Sequence, residues 1–133
     1  MIKLAQVSKI LNKYLFTDHV FGLNDCNIIL ADYLDHVLGT DYYNQLYDKY
    51  DSTQSGIKLA KSVGLNSPRH VLNKIAIKAE VPETGDILLT KTGKHFSVSI
   101  VFKNQAIAEH DNKYVMVPLE TLKPDLIYRI EGN

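Results

Sequence analysis

One cysteine, Cys26, is all that this 133-residue chain contains, and it has no tryptophan and only four prolines. A lone cysteine excludes an internal disulfide, so nothing in the chain requires an oxidising compartment. Net charge is missing too: Lys+Arg and Asp+Glu both count 15, and no basic stripe stands out. Phosphate neutralisation dominates nucleic-acid affinity, so no nucleic-acid partner is expected. Neutrality also removes long-range steering toward an anionic membrane surface. No apolar run approaches the ~20 residues that span a bilayer, so no membrane partner is expected. The start, Met1-Ile2-Lys3-Leu4-Ala5-Gln6, reads as amphipathic and not as a signal-peptide core. Export would then require lysis or carriage inside a larger particle. His19, His36 and His70 show no metal spacing and read as solvated or packing residues. A zinc site needs three or four converging ligands, so no metal and no cofactor are expected.

What is present is enough apolar mass, 45% of positions, for one core and a single domain over 1–133. The first half has helical periodicity. Leu4, Val7, Ile10, Leu11 and Leu15 form one stripe. After a loop over 17–23, Asn24-Asp25 offers N-cap chemistry for a helix through Leu38, stopped by Gly39. A short Tyr-rich helix is predicted over 42–50, and Asp51 or Ser52 caps another that runs to Val63 and stops at Gly64. Ser67-Pro68 is an N-cap and N1 pair for a helix through about Ile75. From residue 81 the period becomes alternating. A turn over 81–86 leads to strands at 87–90, 95–102, 105–109, 114–117 and 126–130, with Lys103-Asn104 as a tight hairpin turn. Helices first and an antiparallel meander second is an α+β pattern.

The chemistry-bearing residues fall at the starts of two elements. Cys26 opens its helix, where unpaired N–H groups and the helix dipole favour thiolate and donate to an oxyanion. Cys26, Leu30, Tyr33 and Val37 share one face of it. His95 opens the strand in which Phe96, Val98, Ile100 and Phe102 form an apolar face. That face is expected to fill the sheet's own core. The small residues Ser97 and Ser99 on the His95 face would then let the Cys26 helix pack there, bringing imidazole to thiol. A third group should orient the imidazole. A two-residue turn at Lys103-Asn104 makes His110 that group, on the His95 face with Asn112; a one-residue bulge presents Glu109 or Asp111 instead. The cluster Tyr42, Tyr43, Tyr47 and Tyr50 reads as core and rim packing.

These residues resemble the NlpC-type branch of papain-like cysteine peptidases, which cleave peptide stems of bacterial cell walls. The resemblance rests on Phe21-Gly22, on Asp25-Cys26, on Pro82-Glu83-Thr84-Gly85-Asp86 before Ile87-Leu88-Leu89, and on His95-Phe96-Ser97-Val98. Gly39-Thr40-Asp41, Tyr50-Asp51-Ser52 and Pro118-Leu119 extend it toward uncharacterised phage and prophage relatives of that branch. It implies a papain-like fold, Cys26 as nucleophile with His95 as base, and a peptidoglycan peptide as substrate. It also implies phage tail proteins as partners, and a place in the virion or in the host cytoplasm before lysis. The Ser-Gly that usually follows the cysteine is Asn27-Ile28 here, and the Trp-Gly-Gly approach is reduced to Phe21-Gly22-Leu23. Those departures keep a second reading open, a phage-tail assembly module that retains the fold without catalysis. An acyltransferase or deamidating enzyme using the same dyad is a third.

Overall fold

The computed structural model describes residues 4–65 and 67–130; part of the amphipathic start at Met1–Gln6 lies outside them. Five helices precede a six-stranded sheet, and every strand pairing is antiparallel. This is the α+β architecture that the switch of period predicts.

Helix α1 (Leu4–Tyr14) buries Val7, Ile10, Leu11 and Tyr14, the stripe set by its three- and four-residue spacing. Helix α2 (Cys26–Leu38) begins at its Asp25 cap and ends at Gly39 in the left-handed conformation. Asp32, buried on α2, accepts from Tyr14 Oη at 2.5 Å and Lys13 Nζ at 2.6 Å and so ties α1 to α2. Helix α3 (Tyr43–Leu46) is a single turn and not the longer helix predicted over 42–50. Tyr47 is extended, Asp48 has φ +57°, and the Asp48 N–H donates to Gly22 O at 2.7 Å. A tertiary contact thus overrides helix propensity there. Helix α4 (Thr53–Ser62) carries a Ser52/Ser55 capping box, and α5 (Pro68–Ile75) is capped by Ser67 with Pro68 in its first turn.

The sheet order is β1 (Ile77–Lys78), β6 (Leu126–Arg129), β2 (Ile87–Thr92), β3 (His95–Phe102), β4 (Gln105–His110), β5 (Lys113–Pro118). The two-residue edge strand β1 gives no sequence signal of its own. Lys103-Asn104 makes the expected tight turn, pairing Phe102 with Gln105 and Val101 with Ala106. Asp111 and Asn112, both at positive φ, make the next one.

The helices pack on the opposite face of β3 from the one expected. Val98 and Ile100 join Ile29, Leu30, Tyr33 and Leu34 of α2 in the main core, together with Ile87, Leu89, Ile107 and Tyr114. The other face holds the smaller cluster Leu88, Val101 and Ala106, closed by Leu119, Leu122 and Ile127. The reason is hydrophobic matching. The apolar stripe of α2 requires an apolar partner surface, and the Ser97/Ser99 face does not provide one. Ser99 is instead buried opposite Leu88 on the far side.

Candidate active site

Asp25 organises the site. Its Oδ1 accepts from the backbone N–H groups of Asn27 and Ile28, both at 3.0 Å, which is N-cap geometry. Its Oδ2 accepts from Gly22 N at 2.8 Å and Tyr50 Oη at 2.5 Å. The carboxylate is 4% exposed, and these four donors satisfy it. Gly22 is irreplaceable by geometry: at φ +84°, a Cβ there would lie 2.0 Å from Tyr50 O. Asn24 locks the approach loop by accepting from Val20 N and donating to Thr17 Oγ1 and to Asp18 O. The loop before the cysteine and the segment ending in Tyr50 therefore hold the start of α2 from two sides.

Cys26 is half-buried, with a free thiol, at the first position of α2. Burial is the largest influence on it and pushes the thiol up to about 11. The Val98 N–H and the Cys26 N–H draw it down, while the negative charges of Asp25 and Glu109 push it up. The helix N-terminus was expected to favour thiolate. Desolvation outweighs it, and the buried Asp25 carboxylate offsets the positive end of the dipole. At neutral pH the resting thiol is protonated.

The β3–β4 ladder is short and leaves Val98 unpaired on its β4 side. Its register consists of Val101↔Ala106 and Phe102↔Gln105, whereas β4–β5 pairs from Gln105↔Pro118 to His110↔Lys113. Beyond the hairpin the Val98 N–H is the backbone group that draws the Cys26 thiol down most.

A cleft of about 690 Å³ opens beside this thiol, within the size range of ligand sites. Its walls include Cys26 and Leu30 of α2, Ile57 of α4, Val71 of α5, and Lys94, His95 and Phe96 at the tip of the β2–β3 hairpin. His95 is exposed, opposite Thr92 across the Gly93-Lys94 turn. Cys26 and His95 thus share one cleft, but His95 falls on the Ser97/Ser99 side of β3, the side turned from α2, and is not among the strongest influences on the sulfur. His110 does not join them. Its side chain is 74% exposed, 3.5 Å from Asp111, at the end of β4 and outside the cleft walls. The reason is the reversed face: His110 shares the side of Ala106, away from α2, whereas Glu109 shares the side of Ile107, toward it. Of the four residues weighed as a third group, Glu109 acts on Cys26. Asp111 and Asn112 occupy the exposed turn.

Three residues near the thiol had no signal as site residues. Tyr50 reaches Asp25 from beyond α3 and lines the cleft. His19 also lines the cleft and packs edge-on against Phe21 with ring centroids 4.6 Å apart. Tyr114 on β5 lies across the strand pair from Glu109. Only tertiary structure brings these positions together. Among the described residues, no group of three or more His, Cys, Asp or Glu side chains could hold a metal ion, and no helix is long and apolar enough to cross a membrane.

No curated protein and no solved structure matches the chain. Residues 4–130 match a family described as a domain of unknown function (DUF6950), and the chain belongs to that family.

Proposed function

We propose that this chain is a papain-like thiol hydrolase of peptide or amide bonds, with Cys26 as nucleophile and His95 as base. The observation that carries the reading is the position of Cys26 in the first turn of a capped helix, on the wall of a cleft it shares with His95. In this reading Cys26 Sγ adds to the substrate carbonyl carbon as His95 accepts the thiol proton. His95 returns that proton to the leaving amine, and water then hydrolyses the thioester. With the resting thiol protonated, this reading requires the transfer of its proton to His95 to occur in the substrate complex. The resemblance of the sequence points to peptidoglycan stem peptides as substrate and to a phage tail as setting.

The raised thiol favours a second reading, an assembly module that keeps the fold without catalysis. Iodoacetamide alkylation of Cys26 across pH, with His95→Ala alongside, separates the two. The hydrolase reading predicts reaction in the folded state, with a midpoint near 11 that falls when a wall peptide fills the cleft, and no such fall in His95→Ala. A thiol that reacts only on unfolding favours the assembly module.

A further inference from the structure

The cleft beside Cys26 continues as an apolar trench. Leu30 and Leu34 follow Cys26 on α2 at about one and two turns, and all three line the cleft. Its floor therefore runs roughly 12 Å along the helix from the thiol. Helix α4 adds Ile57 and Ala60 to the walls and α5 adds Val71, all three half-buried. Helix α4 packs Leu59 against the cluster of Ile28, Ala31 and Leu46, yet it buries none of its own residues. An amphipathic helix ordinarily covers its apolar side against a core, whereas Ile57 and Ala60 stay on an open wall. A ligand arm laid in the trench covers apolar surface that the protein itself leaves open.

The free charges around the trench are of one sign. Arg69 in the first turn of α5 and Lys94 at the β2–β3 tip line the cleft, and both are exposed. Neither forms an ion pair among the described residues. Asp25 is the one carboxylate among the lining residues, and it is buried and held by four donors. A cleft with two unpaired cations and no free carboxylate concentrates anionic ligands. Lys94 directly precedes His95, the group that returns the proton to the leaving amine in the hydrolase reading. Its charge is therefore carried on the same tip as the acid that meets the leaving side.

We propose that the cleft selects an amide that joins a bulky apolar acyl group to an amine bearing a carboxylate, as in a short peptide with an apolar residue before its free C-terminus. The apolar group lies along α2 against Ile57, Ala60 and Val71, and the carboxylate meets Lys94 and Arg69. The inference rests on the thiol-hydrolase reading and names the substrate class of that site. Cys26 Sγ bonds to the acyl carbon, the C–N bond breaks, and the thiol proton passes through His95 to the departing amine. Water then cleaves the thioester, releasing the apolar acid and restoring the thiol.

The test reads two rate ratios at Cys26 by mass spectrometry, each set against the same ratio for N-acetylcysteine. 4-Nitrophenyl hexanoate and 4-nitrophenyl acetate differ in the apolar arm; iodoacetate and iodoacetamide differ in charge. In wild type the hexanoate:acetate ratio should exceed that of the free thiol by about 10-fold or more, since the extra methylenes leave water. At low ionic strength the iodoacetate:iodoacetamide ratio should exceed the free-thiol value by about 3-fold or more. Ala60→Trp fills the trench and should bring the first ratio back toward the free-thiol value. Arg69→Gln with Lys94→Gln should do the same to the second. Either wild-type ratio at or below the free-thiol value overturns the inference, and so does a ratio that its folded variant leaves unchanged. A wild-type Cys26 that both iodo reagents alkylate but neither ester acylates overturns the hydrolase reading, and this inference with it.

Discussion

Two opposing influences meet at Cys26. Two backbone N–H groups draw the thiol toward its anion; burial and two carboxylates push it the other way and prevail. Folding raises the thiol from 9.0 to about 11, so its contribution to stability is fully present below pH 9 and is lost as pH climbs through 11. Urea unfolding of wild type and Cys26→Ala should therefore converge between pH 9 and 11, by on the order of 2 kcal/mol. The difference between the two proteins isolates Cys26, because the tyrosines are common to both and cancel. Gly22 makes a second prediction at this scale. Gly22→Ala meets both a positive φ and a Cβ placed 2.0 Å from Tyr50 O, and it should lose about 2–4 kcal/mol in a denaturant melt. The position of Cys26 was legible from Asp25 before it and the apolar stripe behind it. Its protonation was not, since desolvation comes from the folded core around the thiol, which local sequence does not display.

At the scale of elements, capping chemistry carried the reading well. Asp25, Gly39, Ser52 and Ser67 end or begin their helices where their side chains or backbone freedom dictate. Asp25→Ala should cost about 2–3 kcal/mol by thermal melt, more than an ordinary cap, because Gly22 N and Tyr50 Oη lose their acceptor as well. Asp25→Asn, which keeps an acceptor oxygen for the cap, should cost less. Strand alternation correctly divided β3 into an apolar and a small polar face, but alternation cannot say which face a helix covers. That depends on α2, whose Ile29, Leu30, Tyr33 and Leu34 select the Val98 face. The choice displaces His110 from the site and brings Glu109 toward it, although the hairpin register was read correctly. The predicted helix over 42–50 failed for a related reason. Asp48 bonds to Gly22, far away in sequence, and the helix stops to allow it.

At the scale of the whole molecule, the helical and sheet halves are joined at a few buried polar points. Tyr33 Oη on α2 donates to Gly85 O at 2.7 Å, at the turn into β2. Arg129 grips the buried Asp86 through Nε at 3.0 Å and Nη2 at 2.8 Å, fixing β6 beside β2. Arg129→Met removes the charge partner of a carboxylate that is 1% exposed and should cost about 2–4 kcal/mol in chemical denaturation. Asp86 is legible as the end of a Pro-x-x-Gly-Asp turn; its partner Arg129, 43 residues on, is not. The α+β architecture follows from period and caps alone, whereas the cleft arises only when α2, α4, α5 and the β2–β3 tip converge. The central claim is that this convergence makes a thiol hydrolase. The most direct measurement is mass-spectrometric cleavage of purified peptidoglycan stem peptides by wild type, Cys26→Ala and His95→Ala. The account predicts cleavage by wild type, none by Cys26→Ala, and a rate lower by about 10²–10⁴-fold in His95→Ala. Cleavage undiminished in Cys26→Ala, or intact peptides with folded wild type, would contradict it.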